Sequence, residues 1–160
     1  MRRRHWTKIW LSGLWIIKGK MGELYSEPNA PTGLYMPLDQ VEEIVKANQD
    51  VIVIVDEAYI DFAGPSAREL LSGYDNLLVV QTFSKSRSMA GVRIGFALGS
   101  PVLIKALNDV KYSYNSYTMN LCPSSRTQAV KDRAYFEETR AKIMDTRERA
   151  KKRFAELGFT

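Results

Sequence analysis

Short apolar runs recur along the middle of the chain. They lie at 51–55, 77–80 and 94–98, and each has the length of a buried strand. The first run, Val-Ile-Val-Ile-Val, consists only of β-branched residues, which favour strands over helices. The second run continues through two further residues, so we predict strands over 51–55, 77–82 and 94–98.

Helical patterns separate and follow these strands. Apolar residues at helical spacing predict an amphipathic helix over 38–48. Ser100-Pro101 is typical of a helix start, because Ser caps the first turn and Pro suits its first position. The buried face of that second helix should comprise Val102, Leu103, Ala106, Leu107 and Val110. A short helical piece is expected around 66–71.

The last part of the chain, from residue 130, is charge-rich and carries one apolar stripe, which predicts a single long helix. Its buried stripe should comprise Phe136, Ile143, Ala150, Phe154 and Leu157. By contrast, 115–128 is polar and is predicted to be irregular. Strands that alternate with helices predict an α/β fold, with a mainly parallel sheet flanked by helices and followed by this long C-terminal helix.

Composition narrows the functional classes. The chain has 160 residues, 45% of them hydrophobic, which suffices for one domain with a real core. Its net charge of +5 comes largely from the two ends. Between them the sequence has no basic stripe with interleaved aromatic residues, so it does not indicate nucleic-acid binding. The single cysteine, Cys122, excludes an internal disulfide and suits a reducing, cytoplasmic compartment. The sequence has no Cys/His cluster that would indicate a metal site, and His5 is its only histidine.

Residues 1–26 differ from the rest of the chain. A basic start precedes an apolar run at 9–17, and all three tryptophans lie here. The pattern imitates a signal peptide, but no small-residue cleavage site follows and the run is too short to span a bilayer. An amphipathic surface anchor and a mis-started or frame-shifted gene are the other interpretations, and we favour the last. We therefore expect an atypical segment that does not pack into the core.

Candidate chemistry concentrates after the second predicted strand. Thr82 and Ser84 precede Lys85, and Arg93 follows eight residues later. Hydroxyl groups and backbone N–H groups can cradle a phosphate, and an arginine can clamp it bidentately. A lysine beside that cradle loses its proton more easily, because cationic neighbours and desolvation disfavour the ammonium form. An amine nucleophile next to a phosphate site suggests a Schiff base with pyridoxal phosphate, whereas the alternative is a basic, Ser-rich surface loop.

Two upstream motifs favour the cofactor interpretation. Asp56 ends the first predicted strand and begins Asp-Glu-Ala-Tyr, and a Pro-Asn-Ala-Pro-Thr-Gly loop occupies 28–33. Ligands bind at the carboxyl ends of strands in α/β sheets. A carboxylate there can pair with the protonated nitrogen of a pyridine ring and keep the ring an electron sink.

These three motifs, with their order and spacing, resemble the fold-type I pyridoxal-phosphate aminotransferases of class I and II, and among them the histidinol-phosphate aminotransferases. The resemblance runs from about Pro28 to Asn120 and from about Ala129 to the end. It implies a partial cofactor-binding large domain over 27–128 and a helix over 129–160 leading toward a small domain that the chain lacks. It also implies that the last predicted strand is antiparallel.

The resemblance implies a role for each site residue. Lys85 matches the catalytic lysine that holds the cofactor and moves a proton, and Asp56 matches the acid on the pyridine nitrogen. Tyr59 matches the tyrosine on the ring 3′ oxygen. The matches to the phosphate ligands are Thr82, Ser84 and Arg93. Asn29 lies in the loop that approaches the ring, although many relatives carry asparagine where this chain has Ala30.

The function implied is amino transfer between histidinol phosphate and 2-oxoglutarate in histidine biosynthesis, by an enzyme that is a homodimer in its full-length form. Another class I/II aminotransferase, a threonine-phosphate decarboxylase and a non-catalytic gene remnant are alternatives. The sequence offers no match to the family's glycine-rich phosphate segment, its stacking aromatic residue, its partner-subunit tyrosine or its substrate-carboxylate arginine. We therefore expect a truncated form without turnover, with no membrane or nucleic-acid partner.

Overall fold

The computed structural model describes residues 22–113 and 123–159. Its centre is a four-stranded sheet in the order β1-β2-β3-β4. The strands are β1 Gly22–Ser26, β2 Ile52–Asp56, β3 Leu77–Thr82 and β4 Gly95–Gly99. The first three strands run parallel, and β4 runs antiparallel to β3. The α/β fold, the strands predicted from the apolar runs and the antiparallel last strand are therefore confirmed.

The described residues form four α-helices. They are α1 Leu38–Ala47, α2 Pro101–Ser113, α3 Pro123–Lys131 and α4 Arg133–Glu156. Single turns of 3-10 helix occur at Ile60–Phe62, Ala67–Leu70 and Ala90–Val92. The helices predicted over 38–48 and from Pro101 are confirmed, as is the short helical piece near 66–71.

The core lies between the sheet and α1. Valine and leucine side chains of β2 and β3 meet α1 there, and they are Val53, Val55, Leu77 and Val79 with Val41 and Val45 of the helix. Alternate residues of β2 are buried, as the two-residue period of a strand requires. Each fully buried side chain of this size contributes roughly 1.5–3 kcal/mol. This packing fixes β2 and β3, whose ends carry most of the candidate site.

Asn76 connects α1 to the sheet. Its side-chain amide donates to the carbonyl oxygens of Val45, Asn48 and Val51 at 3.3, 3.0 and 3.4 Å. The last carbonyl groups of a helix lack partners within the helix. Asn76, which directly precedes β3, therefore supplies a hydrogen-bond donor to carbonyl groups at the end of α1.

The expectation that the chain up to residue 26 stays out of the core is wrong for its last five residues. Gly22–Ser26 forms β1, in which Leu24 pairs with Ile54 and Tyr25 packs against the core. A five-residue strand with two apolar residues gives too short an alternation to stand out in the sequence. Residues 1–21, with the anchor and frame-shift interpretations, lie outside the described residues.

The single long helix predicted from residue 130 is two helices. The segment 123–128, predicted to be irregular, belongs to α3. A second helix begins because the Asp132 carboxylate accepts a hydrogen bond from the Tyr135 N–H at 3.1 Å and caps α4. Residues 114–122, including Cys122, lie outside the described residues.

The predicted buried faces of α2 and α4 are largely wrong. In α4, Phe136 is buried, whereas Ile143, Phe154 and Leu157 are exposed. In α2, Val102, Leu107 and Val110 are likewise exposed. Periodicity identifies the apolar face of a helix, but it does not show whether a neighbour within the chain covers that face.

Candidate active site

The candidate residues converge on one edge of the sheet. Asn29 follows the carboxyl end of β1, Asp56 is the last residue of β2, and Lys85 follows β3. Since these strands are parallel, their carboxyl ends meet at one edge, where ligands bind in α/β sheets. Because β4 is antiparallel and Gly95 pairs with Thr82, Arg93 also lies at this edge.

Lys85 and Tyr59 face each other across this edge. The Lys85 Nζ atom lies 5.0 Å from the centre of the Tyr59 ring, within the range of a cation–π contact. Tyr59 directly precedes the Ile60–Phe62 turn, which follows β2. Lys85 is exposed, so its amine is accessible to a small molecule from solution.

Two hydroxyl groups lie together at the start of the loop that carries Lys85. The Ser84 N–H donates to Thr82 Oγ1 at 3.1 Å, and the two hydroxyl oxygens are 3.0 Å apart. The Thr82 hydroxyl also lies 3.2 Å from the Ile94 carbonyl oxygen. These bonds fold the end of β3 back toward the start of β4 and place both hydroxyls beside Lys85 in the chain.

Arg93 returns the loop to the sheet in a left-handed conformation. Its φ is 55°, and Ser88 in the same loop has a φ of 53°. Positive φ is uncommon for residues other than glycine and clusters at functional sites. The Arg93 guanidinium donates to the Ala90 carbonyl at 3.2 Å and is exposed. It is therefore held near the loop while accessible to an anion.

Asp56 and Asn29 are held by their own turns. Asp56 Oδ1 accepts a hydrogen bond from the Ala58 N–H at 3.1 Å. Asn29 is buried, and its side-chain oxygen accepts a hydrogen bond from the Thr32 hydroxyl at 2.8 Å. Within the described contacts, Asn29 is thus tied to the 28–33 loop and is not brought to Lys85.

Sequence reasoning missed Glu57, the neighbour of Asp56. Its side chain is 2% exposed and accepts hydrogen bonds from the Ser66 hydroxyl, the Ala67 N–H and the Gln81 amide at 2.6, 2.6 and 2.7 Å. The carboxylate therefore ties the end of β2 to the Ala67–Leu70 turn and to β3. The Asp-Glu pair in the motif contained this signal, because successive residues point to opposite faces of a strand.

Glu27 is a second buried carboxyl group that the sequence did not reveal. It accepts a hydrogen bond from the Met36 N–H at 2.7 Å. Burial is the main cause that raises the pKa of Glu27 to about 7, and the nearby Glu57 charge raises it further, whereas the Met36 hydrogen bond lowers it. Glu27 therefore links the end of β1 to the segment that leads into α1.

The donors at the sheet edge suit a phosphorylated aromatic aldehyde. The Lys85 amine can trap an aldehyde, and the hydroxyls of Thr82 and Ser84 with the Arg93 guanidinium can hold a phosphate. The Asp56 carboxylate can pair with a basic ring nitrogen.

Among residues 22–113 and 123–159, no group of three or more His, Cys, Asp or Glu side chains could hold a metal ion. No helix in these ranges is long and apolar enough to cross a membrane.

Comparison with protein families identifies the sequence class. A family model described as aminotransferase class I and II matches residues 24–160. A histidinol-phosphate aminotransferase of Brachyspira hyodysenteriae is 56% identical over 140 residues, covering 86% of this chain and 40% of that protein. The enzyme of the same name from Pseudomonas putida is 53% identical, covering 82% of this chain and 38% of that protein. The chain thus spans about two-fifths of the length of these relatives.

Solved structures show the same likeness. The crystal structure of histidinol-phosphate aminotransferase from Sinorhizobium meliloti, in complex with pyridoxal-5'-phosphate, matches with a TM-score of 0.71 and 25% identity, over 84% of this chain and 37% of that one. The histidinol-phosphate aminotransferase of Clostridium acetobutylicum matches with a TM-score of 0.73 and 25% identity, over 86% and 42% of the two chains.

Proposed function

This chain belongs to the aminotransferase class I and II family, and from that membership we propose that the edge around Lys85 is the cofactor-binding part of a pyridoxal-phosphate site. The observation that carries this proposal is the Lys85 amine, 5.0 Å from the Tyr59 ring centre at the edge where β1, β2 and β3 end. The hydroxyls of Thr82 and Ser84 lie at the same edge. This donor set fits the aldehyde and phosphate of the cofactor.

Each residue of the site has a defined task in this proposal. Lys85 binds the cofactor through its amine and exchanges a proton with the substrate carbon. Asp56 holds the proton on the ring nitrogen, and Tyr59 donates a hydrogen bond to the ring oxygen. The phosphate is held by Thr82, Ser84 and Arg93. When bound, the cofactor supplies an electron sink that stabilises negative charge on the substrate carbon.

Asn29 has the weakest support among these assignments. Its amide oxygen is already hydrogen-bonded to Thr32, and the position before Pro-Thr-Gly is Ala30. We assign Asn29 to the shape of the 28–33 loop that borders the ring. Its side-chain oxygen accepts a hydrogen bond from the Thr32 hydroxyl, and its backbone N–H donates to the Leu34 carbonyl and closes the turn.

The proposed substrates are histidinol phosphate and 2-oxoglutarate, in a cytoplasmic homodimeric enzyme of histidine biosynthesis. The support is the name shared by the relatives that are 56% and 53% identical.

We also propose that the 160 residues alone do not sustain turnover. Holding the substrate in the reactive geometry can supply about 7–11 kcal/mol of a barrier. The loop between β3 and β4, residues 83–94, is called the lysine loop. Of its two arginines, Arg87 is engaged with α3 and α4, and Arg93 is assigned to the cofactor phosphate, so neither is left to hold a substrate carboxylate.

An absorbance titration with pyridoxal phosphate tests the cofactor proposal. The wild-type chain and a Lys46→Ala control should give the same saturable spectral change, because Lys46 lies on α1 in an exposed ion pair with Glu42. Lys85→Ala should lose the change. Equal saturable binding by the Lys85→Ala variant would reject the proposed site.

A coupled assay for glutamate tests turnover. With histidinol phosphate and 2-oxoglutarate, we expect the wild-type chain to form glutamate at the same slow background rate as Lys85→Ala. Turnover well above that background, lost in the variant, would show that the chain is a complete catalyst and that the inactive assignment is wrong.

A further inference from the structure

The residue after Lys85 is anchored more firmly than Lys85 itself. Ser86 is 2% exposed, and its hydroxyl donates a hydrogen bond to the Asp61 carboxylate. Asp61 lies in the Ile60–Phe62 turn, two residues after Tyr59. The bond therefore joins the segment that carries the Lys85 amine to the segment that carries the Tyr59 ring, which the amine faces.

The position of Asp61 is itself fixed by α4. The Arg140 Nε–H donates to the Asp61 carbonyl, and Arg147 donates to the Phe62 carbonyl at 2.8 Å. A carboxylate that accepts from a buried hydroxyl makes a charge-assisted bond, and low local polarity strengthens it. Asp61 therefore acts as a fixed point to which the lysine loop is attached.

The lysine loop also contacts α3 and α4 directly. The Arg87 guanidinium lies 3.7 Å from the centre of the Phe136 ring and donates to the Ala129 carbonyl at 3.1 Å. Thus Ser86 and Arg87, the two residues that follow Lys85, both attach the loop to elements outside it.

Two backbone hydrogen bonds close the turn within this loop. The Ser88 N–H donates to the Lys85 carbonyl and the Met89 N–H donates to the Phe83 carbonyl, both at 3.0 Å. The Ser86–Asp61 bond fixes where this turn lies relative to Tyr59 and supports its closed form. With the backbone beside Lys85 fixed, only the rotamers of the lysine side chain remain to be ordered when its amine faces Tyr59.

We propose that Asp61 is a positioning residue for Lys85, holding the lysine amine opposite Tyr59 through the Ser86 hydroxyl. This inference rests on the proposed role of Lys85 in cofactor binding. It assigns Asp61 no contact with the cofactor or the substrate. It predicts that Lys85 loses its selective reactivity when the bond is removed, even where the chain stays folded.

The test compares three variants with a matched control. Ser86→Ala and Asp61→Ala remove the bond, whereas Asp61→Asn keeps an oxygen that can accept a hydrogen bond from the Ser86 hydroxyl. Ser66→Ala is the control, because it removes another hydroxyl–carboxylate bond, that to Glu57. Each 160-residue chain is reacted with pyridoxal phosphate and borohydride. Peptide mapping then gives the ratio of label on Lys85 to label on the other lysines.

We expect the ratio to fall about tenfold in Ser86→Ala and Asp61→Ala, the effect of losing one hydrogen bond to a charged group, and to recover largely in Asp61→Asn. An independent arm uses the cofactor-free chain. There, amide hydrogen exchange at Ser88 and Met89 should be about tenfold faster in Ser86→Ala than in wild type, because the loop opens more often.

An unchanged label ratio in both bond-removing variants would overturn the proposal, as would an equal fall in Ser66→Ala. Faster exchange with an unchanged ratio would also overturn it, since the bond would then be structural only. A wild-type chain that takes no label on Lys85 would reject the proposed function. In that case the exchange arm still decides whether Asp61 holds the loop.

Discussion

Glu27 shows how strongly one buried group can depend on its surroundings. It is 5% exposed, and burial raises its pKa from 4.5 to about 7. The folded chain therefore binds the Glu27 proton more tightly than the unfolded chain does. The stabilisation that follows is fully present below pH 4.5 and is lost as the pH rises through about 7.

Glu27→Gln tests this account, because the amide keeps an oxygen for the Met36 N–H but cannot ionise. We expect the variant to be about 3 kcal/mol more stable than wild type at pH 8 and similar to it near pH 4.5, from the free energy linked to the pKa shift. Urea unfolding of both chains across this pH range measures the difference. Parallel stability curves would show that Glu27 titrates normally in the folded chain.

At the scale of elements, the sequence predicted β2, β3 and α1 well, because short continuous apolar runs identify the two strands and the helical spacing of apolar residues identifies α1. It missed β1, whose five residues hold only two apolar side chains, and it missed the break between α3 and α4 at Asp132. It also predicted buried faces for α2 and α4 that are exposed, since periodicity contains no information on the partner.

The candidate site likewise contains residues that the sequence could predict and contacts that it could not. The motif residues Asp56, Tyr59 and Lys85 could be named from their types and order. The bonds of Glu57 and Asp61 could not, because they join residues that are 9–25 positions apart in sequence. Such contacts depend on the tertiary arrangement, and a polar residue gives no local signal of its distant partner.

Asn76 offers a prediction about how α1 is attached to the sheet. Asn76→Ala leaves the carbonyls at the end of α1 without this donor and should cost about 1–3 kcal/mol of unfolding free energy. Asn76→Asp should cost more, because it places a carboxylate against three carbonyl oxygens. Thermal or urea unfolding measures both. Asn48→Ala, which removes one bond to Ile44, serves as the control with a smaller loss.

An Asn76→Asp variant as stable as Asn76→Ala would contradict the assigned hydrogen-bond geometry. The comparison isolates the electrostatic part of the contact, since asparagine and aspartate have almost the same shape.

The whole chain spans about two-fifths of its curated relatives, yet its strands form a continuous sheet with its own core. Apolar side chains on α2 and α4 nevertheless remain exposed, and such surfaces favour association. The edge strand β1 reduces the exposed surface, because it covers one side of β2.

Two truncations test the contribution of β1. Removal of residues 1–21 retains the strand, whereas removal of residues 1–26 deletes it and exposes the edge of β2. We expect the longer deletion to be about 2–4 kcal/mol less stable than the shorter one, from the lost burial of Leu24 and Tyr25. Urea unfolding and soluble yield measure this. Equal stability of the two truncated chains would show that β1 does not contribute to the fold.

The central claim is that Lys85 is the residue that holds pyridoxal phosphate. The most direct measurement is the site of covalent attachment in the wild-type chain after borohydride reduction, read by peptide mapping. The account predicts that the label lies on Lys85, next to the hydroxyls of Ser84 and Thr82 and opposite Tyr59. Label found mainly on Lys46 or Lys105, both exposed lysines in helical ion pairs, would contradict it.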